Sequence, residues 1–373
     1  MMGVADKQES FFYNVNLEHF VSSDHPFRRI RHLIDTEEIR KLCRPLYSEE
    51  GRPSIPPEQL FLCILGGYLQ GVCSERALVR ELQCNMALRW FVGLGLDQDA
   101  WDHSTFSQNR RRRFNESGIL ENLFDKTVGL AIKKGLVSQH SSVDGSLVKA
   151  NASQKSFVAI EVFMKPEEYK KRIRCLDEDE GNPTIDFKGE KRSNKTHVST
   201  TDEDAKLASK GKGTSIVGYT VNGLMENRHR ILLGISVESF AGPKSETEGA
   251  VSLVDDFHQK HKFRLKTLGA DKGYFAEEFL KKIKRRRMKP HVSAKTTGKE
   301  EIHHKVRRMV TTLGYQLSQR ARKKIEELWG EAKCWHGFRE FKRRGLTNVR
   351  DEAFLMGWLL NLKRLSLLIP QET

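Results

Sequence analysis

Ser142-Val143-Asp144-Gly145-Ser146-Leu147-Val148 is the stretch where the chain changes character. It reads as a short strand, and the two-residue period sets Ser142, Asp144 and Ser146 on one face. A carboxylate inside an apolar strand is costly unless it is paired or bound to a cation. The plain alternative is a turn, since Asp-Gly is a common hairpin signal.

Toward the amino end the pattern is helical. Pro56-Pro57 precede Leu60, Phe61, Ile64 and Leu65, a helix start followed by a buried stripe. An earlier helix is expected from Glu37 to Cys43. Ser74 suits the cap of another, which carries Ala77, Leu78 and Leu82. Leu88 to Leu94 forms a third apolar group. Asp102 or Ser104 suits the cap of a helix running into Arg110-Arg111-Arg112-Arg113, and Leu120, Leu123, Phe124 and Val128 carry a last stripe to about Lys134. Short helices followed by a basic one suit a DNA-binding unit. A plain bundle with its arginines as a solvated face explains the same pattern.

Toward the carboxyl end strands and helices mix. Ser215 to Met225 and Ile231 to Ser239 are β-rich runs joined by a turn at Glu226-Asn227-Arg228-His229. Ala250, Val251, Leu253, Val254 and Phe257 mark a helix, and Leu265 to Ala270 a strand ending at Asp271-Lys272-Gly273. Phe275, Phe279, Leu280 and Ile283 mark an amphipathic helix, and Lys289 to Ser293 a last strand. Two helices follow, about Gln316 to Lys333 and Asp351 to Leu368. Lys165 to Lys212 is polar and turn-rich. The expected class is α/β: an all-helical region over 1–136, then a mixed-sheet domain over 137–373 with a polar insertion at about 155–213.

The 373 residues hold 64 Lys plus Arg against 49 Asp plus Glu, a formal charge of +15. That balance favours a polyanionic partner, nucleic acid first. Apolar stretches such as Phe61 to Leu69 fall far short of the roughly 18 residues that suggest a membrane span. Asp6, Lys7 and Glu9 stand where a signal peptide needs an apolar run, so an intracellular, cytoplasmic protein is expected. The six cysteines (43, 63, 73, 84, 175 and 334) include no CxxC pair, which argues against a zinc ribbon or a redox pair. Cys63 and Cys84 read as small core residues. His303 and His304, flanked by Lys305, Arg307 and Arg308, read as a cationic surface.

Isolated acids at strand ends in a basic protein suit one reaction, metal-assisted phosphodiester chemistry. There two divalent ions about 3.5–4 Å apart clamp the attacking and leaving oxygens. Asp144 lies in a strand, Asp271 ends one before a glycine, and Glu326 lies on a helix. Asp271 has the alternative of a helix cap, and Glu326 that of a solvated charge paired to Arg322. Ser318, Arg322 and Glu326 recur every four residues on one face, and Lys333 returns to it two turns later. Arg forks phosphate oxygens and Lys adds a point charge. Lys281 to Lys289 has seven basic residues in nine, including Arg285 and Arg286, and suits either phosphate tracking or an exposed helix face. Trp329 and Trp335 suit core packing better than base stacking.

The sequence resembles DDE transposases, in particular the insertion-sequence four/five type of bacterial mobile elements. The signatures are Val143-Asp144-Gly145-Ser146, Ala270-Asp271-Lys272-Gly273-Tyr274, and Arg322 with Glu326 and Lys333. Gly51-Arg52-Pro53 through Pro57, Asp102-His103-Ser104-Thr105-Phe106, Ala150-Asn151-Ala152-Ser153, Thr196 to Asp202, and Arg344-Gly345-Leu346 also match. The resemblance implies a ribonuclease-H-like fold with Asp144 and Asp271 on neighbouring central strands, and Glu326 as the third ligand of two Mg (or Mn) ions. It further implies Arg322 and Lys333 near the DNA backbone; the basic runs themselves offer Arg110, Arg111, Arg285 and Arg286 as further DNA contacts. The partner is then double-stranded DNA, both terminal inverted repeats and target, held by a homodimer. Strand cleavage leaves a 3′-hydroxyl that attacks target DNA. Three departures stand out: Gln319 where relatives often carry tyrosine, Asp202-Glu203-Asp204-Ala205 where many have Asp-Pro-Asp-Ala, and Trp329 where many have phenylalanine. The rival readings are an inactive DNA-binding relative, a two-metal nuclease that does not join strands, and a structural helical protein.

Overall fold

The computed structural model describes residues 14–51, 53–160, 168, 193–208, 215–240 and 243–370. The amino-terminal part is helical: α1 (Leu17–Phe20), α2 (Pro26–Arg31), α3 (Thr36–Cys43), α4 (Pro57–Leu69), α5 (Glu75–Cys84), α6 (Met86–Val92), α7 (Ser104–Asn109) and α8 (Ile119–Lys133). Local chemistry sets the ends. Asp35 accepts from Glu38 N at 3.1 Å at the start of α3, and Asn85 from Leu88 N at 3.0 Å at the start of α6. Pro57 opens α4, which has no side-chain cap. Ser74 stands at the cap position of α5 without a side-chain hydrogen bond. Arg110 to Phe114 extends α7 as a single wide π turn, not as a straight basic helix.

β1 (His140–Lys149) begins the sheet and is followed by β2 (Phe157–Ala159), β3 (His197–Ser199), β4 (Lys206–Ala208), β5 (Ile216–Glu226) and β6 (Leu232–Ser239). Then come α9 (Pro243–His261), β7 (Thr267–Ala270), α10 (Glu277–Arg285), β8 (Lys289–Val292), α11 (Glu301–Met309), α12 (Leu313–Trp335) and α13 (Leu346–Leu368). The five central strands run β6-β5-β1-β7-β8. β5 is antiparallel to both β1 and β6, whereas β7 pairs parallel with β1 and with β8. That order and sense is the ribonuclease-H-like topology. The helical region followed by this mixed sheet agrees with the expected class.

Asp144-Gly145 is not a turn: both lie mid-strand, opposite Gly223 and Asn222 of β5. Short strands lie in the polar insertion where it is described. β2 and β3 pair with each other, and β4 joins the main sheet beside β5. The rest of that insertion lies outside the described residues, as does Arg52. α11 was not expected; its signal is Ile302 and Val306 four apart, both buried. It also buries His303, beneath which Phe275 lies at 4.9 Å, so only His304 fits the cationic-surface reading. Cys63 is buried as expected, but Cys84 is exposed at the end of α5. Among the described residues no helix is long and apolar enough to cross a membrane.

One continuous apolar core runs from Phe27 of α2 to Leu365 of α13. α13 packs on α8 and on β6, and also touches α2 and α4, so the last helix ties both halves together. A polar lock supports it: Glu331 pairs with Lys363, with His336 Nε2 3.7 Å away and His336 Nδ1 2.8 Å from the Tyr68 carbonyl. The His336 hydrogen bond, reinforced by Lys363, holds the Glu331 carboxyl at about 2, below its ordinary 4.5. A depressed carboxylate stabilises the fold above its unfolded pKa, and the gain is lost as pH falls from about 4.5 toward 2. The side chain is 40% exposed, so screening cuts the effect to about 1 kcal/mol. Glu331→Gln should cost that amount at pH 7 and little at pH 2, read by urea unfolding. Equal losses at both pH values would remove the pair from the account.

Candidate active site

The parallel pairing of β1 with β7 decides which acids meet. Ser142 lies opposite Gly269. The printed pairing ends there, so Asp144, two residues further along β1, and Asp271, just past the end of β7, lie toward the same end of these two strands. β7 ends at Ala270, so Asp271 is the first residue past the strand. Its Oδ1 accepts from Gly273 N at 2.7 Å and caps a single 3-10 turn, Lys272 to Tyr274. The capping role and the position at the sheet edge are therefore compatible. Both aspartates are partly exposed.

α12 crosses the same face of the sheet. Ser318 sits over Gly269, where a Cβ would come within 3.1 Å of Ser318 Oγ. The Trp329 ring lies on Gly223, the partner of Asp144; a Cβ there would sit 2.6 Å from the indole. Glycine is required because the ring occupies that space. Lys333 Nζ donates to Ser146 Oγ at 2.7 Å and to the Leu147 carbonyl at 2.8 Å. Between Ser318 and Lys333 lie Arg322 and Glu326, joined at 2.9 Å. The Arg322 side chain is 13% exposed and that of Glu326 56%. The expected face of the helix is thus the face turned to the sheet, with Glu326 at its open margin and paired to Arg322.

Among the described residues no three Asp, Glu, His or Cys side chains are gathered closely enough to hold a metal ion. Carboxylate oxygens are the donors that a hard cation such as Mg or Mn takes; here they stand in the middle of β1, just past β7 and at an exposed position of α12. Tyr274 Oη, Arg322 Nε and Ser318 Oγ are buried polar atoms with no hydrogen-bond partner among the described residues.

The other basic residues are not brought to the acids. Arg110 pairs with Glu75, and Arg111 is exposed on the π turn. Arg285 is exposed, whereas Arg286 is forked onto Asp255. Both lie at the far end of α10 from Asp271. Trp329 is buried and stacked near Phe338, while Trp335 is 72% exposed, contrary to its expected core role. Gln319 Nε2 donates to the Ala270 and His291 carbonyls, and Tyr315 Oη to the Val292 carbonyl, so both hold α12 to the ends of β7 and β8.

Other matched motifs converge on one clip. Asp202, buried, accepts from Tyr219 Oη at 2.6 Å and from Gly345 N at 3.2 Å, and Asp204 accepts from Leu346 N at 2.8 Å. Asn151 Nδ2 donates to the Lys342 carbonyl, and Arg344 Nε to the Asn151 carbonyl. The segment before α13 is thereby fastened to the end of β1. Sequence reasoning did not single out Tyr274 or Glu352 as individual residues. Glu352 carries no local signal, being one acid on an otherwise apolar helix.

Residues 15–112 match the family model described as transposase domain (DUF772), and residues 139–362 match the transposase DDE domain. No curated protein matches the chain. Solved structures to which the chain is similar include the Mos1 transposase paired-end complex with left transposon end, at 9% identity, 76% of this chain, 80% of that chain and a TM-score of 0.21. Another is the Mos1 strand transfer complex, at 11% identity, 84% and 77% coverage and a TM-score of 0.21. Since the second family model spans more than half of the residues, the chain belongs to the transposases with a DDE catalytic domain.

Proposed function

We propose that this transposase cuts and joins DNA at the sheet edge formed by Asp144, Asp271 and the Arg322–Glu326–Lys333 face of α12. The observation that supports the reading is the parallel pairing of β1 with β7, which carries two acids 127 positions apart in sequence toward the same end of the sheet. Mg or Mn bound there would polarise the phosphodiester and lower the cost of its developing charge. Asp144 and Asp271 supply hard oxygen donors from rigid strands. Glu326 joins them by releasing Arg322, whose guanidinium then forks the phosphate oxygens. Lys333, anchored on Ser146, neutralises charge beside Asp144. The protein's task is to place and neutralise the reacting groups. The partner is double-stranded DNA, element ends first and target second, and two copies of the chain hold two ends.

The test uses purified protein and duplexes carrying the element's ends. Strand cleavage to a 3′-hydroxyl is expected with Mg²⁺ or Mn²⁺ and none in chelator. Pre-cut ends should be joined to target DNA; hydrolysis without joining would make the chain a nuclease. Absence of cation-dependent cutting on authentic ends would overturn the reading.

A further inference from the structure

A cavity of about 590 Å³ opens at the joint between the helical region and the segment before α13. Its wall carries four cationic side chains, Arg76, Arg110, Lys342 and Arg343, against one carboxylate, Glu75. Arg110 takes up Glu75 at 2.5 Å. Arg76 is steadied by the motif before α7: its Nε donates to His103 Nε2 at 3.2 Å, and His103 Nδ1 lies 3.3 Å from Asp102. Arg76 and Lys342 are exposed, and Arg110 and Arg343 half-buried.

Packing inside the protein does not account for Arg343. Among the described residues its guanidinium makes no hydrogen bond and no ion pair; only its backbone N–H is engaged. Glu352 spends its oxygens on Tyr68 Oη and on the Lys342 and Arg343 N–H groups. Arg110 lines the same wall, so two guanidiniums share this cavity with one carboxylate. Burial, and after it the Arg110 charge, pulls the Arg343 pKa below its ordinary value, while Glu352 and Asp351 work the other way. An anion accepting from both guanidiniums relieves their repulsion and fills the empty donors. The cavity also continues the catalytic face of α12. That helix ends at Trp335, two residues past Lys333. Cys73, on the cavity wall, donates to the His336 carbonyl at 3.5 Å, and a Cβ at Gly71 would lie 2.9 Å from the Trp335 carbonyl. A strand neutralised by Lys333 therefore meets its next group of cations here.

We propose that this cavity seats a phosphate of the DNA backbone on Arg343 and Arg110, with Arg76 and Lys342 holding the strand at its mouth. The proposal rests on DNA being the partner of the chain and not on the three acids. A labelled duplex is titrated with the full chain in chelator and followed by fluorescence anisotropy, which reads binding without cutting. Arg343→Gln should raise the Kd about 10-fold, the scale of one lost charge-assisted contact, and lower the slope of log Kd against log salt by about 1. The double variant Arg76→Gln with Lys342→Gln, exposed and outside the core, should lower that slope by about 2. Both losses should be equal on element-end and unrelated duplexes, because a phosphate carries no sequence. Wild-type Kd and slope in folded Arg343→Gln overturn the proposal; if that variant does not fold, the same result in the double variant does so. A loss confined to element ends also overturns it, since the residues would then read bases. Either result leaves cation-dependent cutting by the wild-type chain standing. Absence of salt-dependent duplex binding by the wild-type chain overturns both.

Discussion

Asp144→Asn is expected to lower strand cleavage by on the order of 10³-fold or more while leaving duplex affinity within about 3-fold of wild type. The substitution keeps the shape of the side chain and the β1 pairing with Gly223, and removes only the negative oxygen that a hard cation requires. Asp271→Asn should behave alike, and it is a clean test because an asparagine carbonyl still accepts from Gly273 N and keeps the 3-10 turn capped. Glu326→Gln should also abolish cutting, though it releases Arg322 from its partner and so leaves or slightly raises affinity for phosphate. Gel-shift titration and cleavage on one labelled duplex give both readouts. Full cleavage by any one variant removes that residue from the catalytic set. Parallel loss of binding and cleavage points to damage of the fold instead.

Glu352→Ala should destabilise the protein by about 3–5 kcal/mol, measured by urea unfolding. Glu352 is 1% exposed in the middle of the core. Its oxygens accept from Tyr68 Oη at 3.1 Å, from Lys342 N at 2.9 Å and from Arg343 N at 3.2 Å. Burial raises the carboxyl pKa and the neighbouring Arg343 charge opposes that rise. Truncation leaves the Tyr68 hydroxyl and the Lys342 and Arg343 N–H groups without their acceptor and removes the charge that opposes Arg343. Because Tyr68 comes from α4 and Glu352 from α13, the loss falls on the joint between the helical region and the sheet. Glu352→Gln keeps one acceptor and should cost roughly half as much or less. A loss under about 1 kcal/mol in the alanine variant would mean that water reaches these donors after truncation.

Much of this architecture could be read from local pattern. β1, β5 and β6 announce themselves by alternation, and α4 and α10 by apolar spacing, because a period of 2.0 or 3.6 is a property of neighbouring residues. Of the residues spaced along one face of α12, Ser318 and Lys333 meet the sheet, at Gly269 and Ser146. α11 escaped because two apolar residues among His, Lys and Arg make a thin stripe. Trp335 was misread because exposure is decided by what packs against a helix end, and nothing local records that. Arg286 looked like a free cation, yet Asp255, 31 residues earlier, takes it up.

The helical amino-terminal region and the positions of β1, β5, β6, β7 and β8 were legible in the sequence alone, since each rests on short-range periodicity or on residue type. The parallel pairing of β1 with β7 was decided only in three dimensions. So was the present pairing of Glu326 with Arg322. Strand register and side-chain partners depend on contacts between segments far apart in the chain, and they are settled by which apolar faces can be buried together.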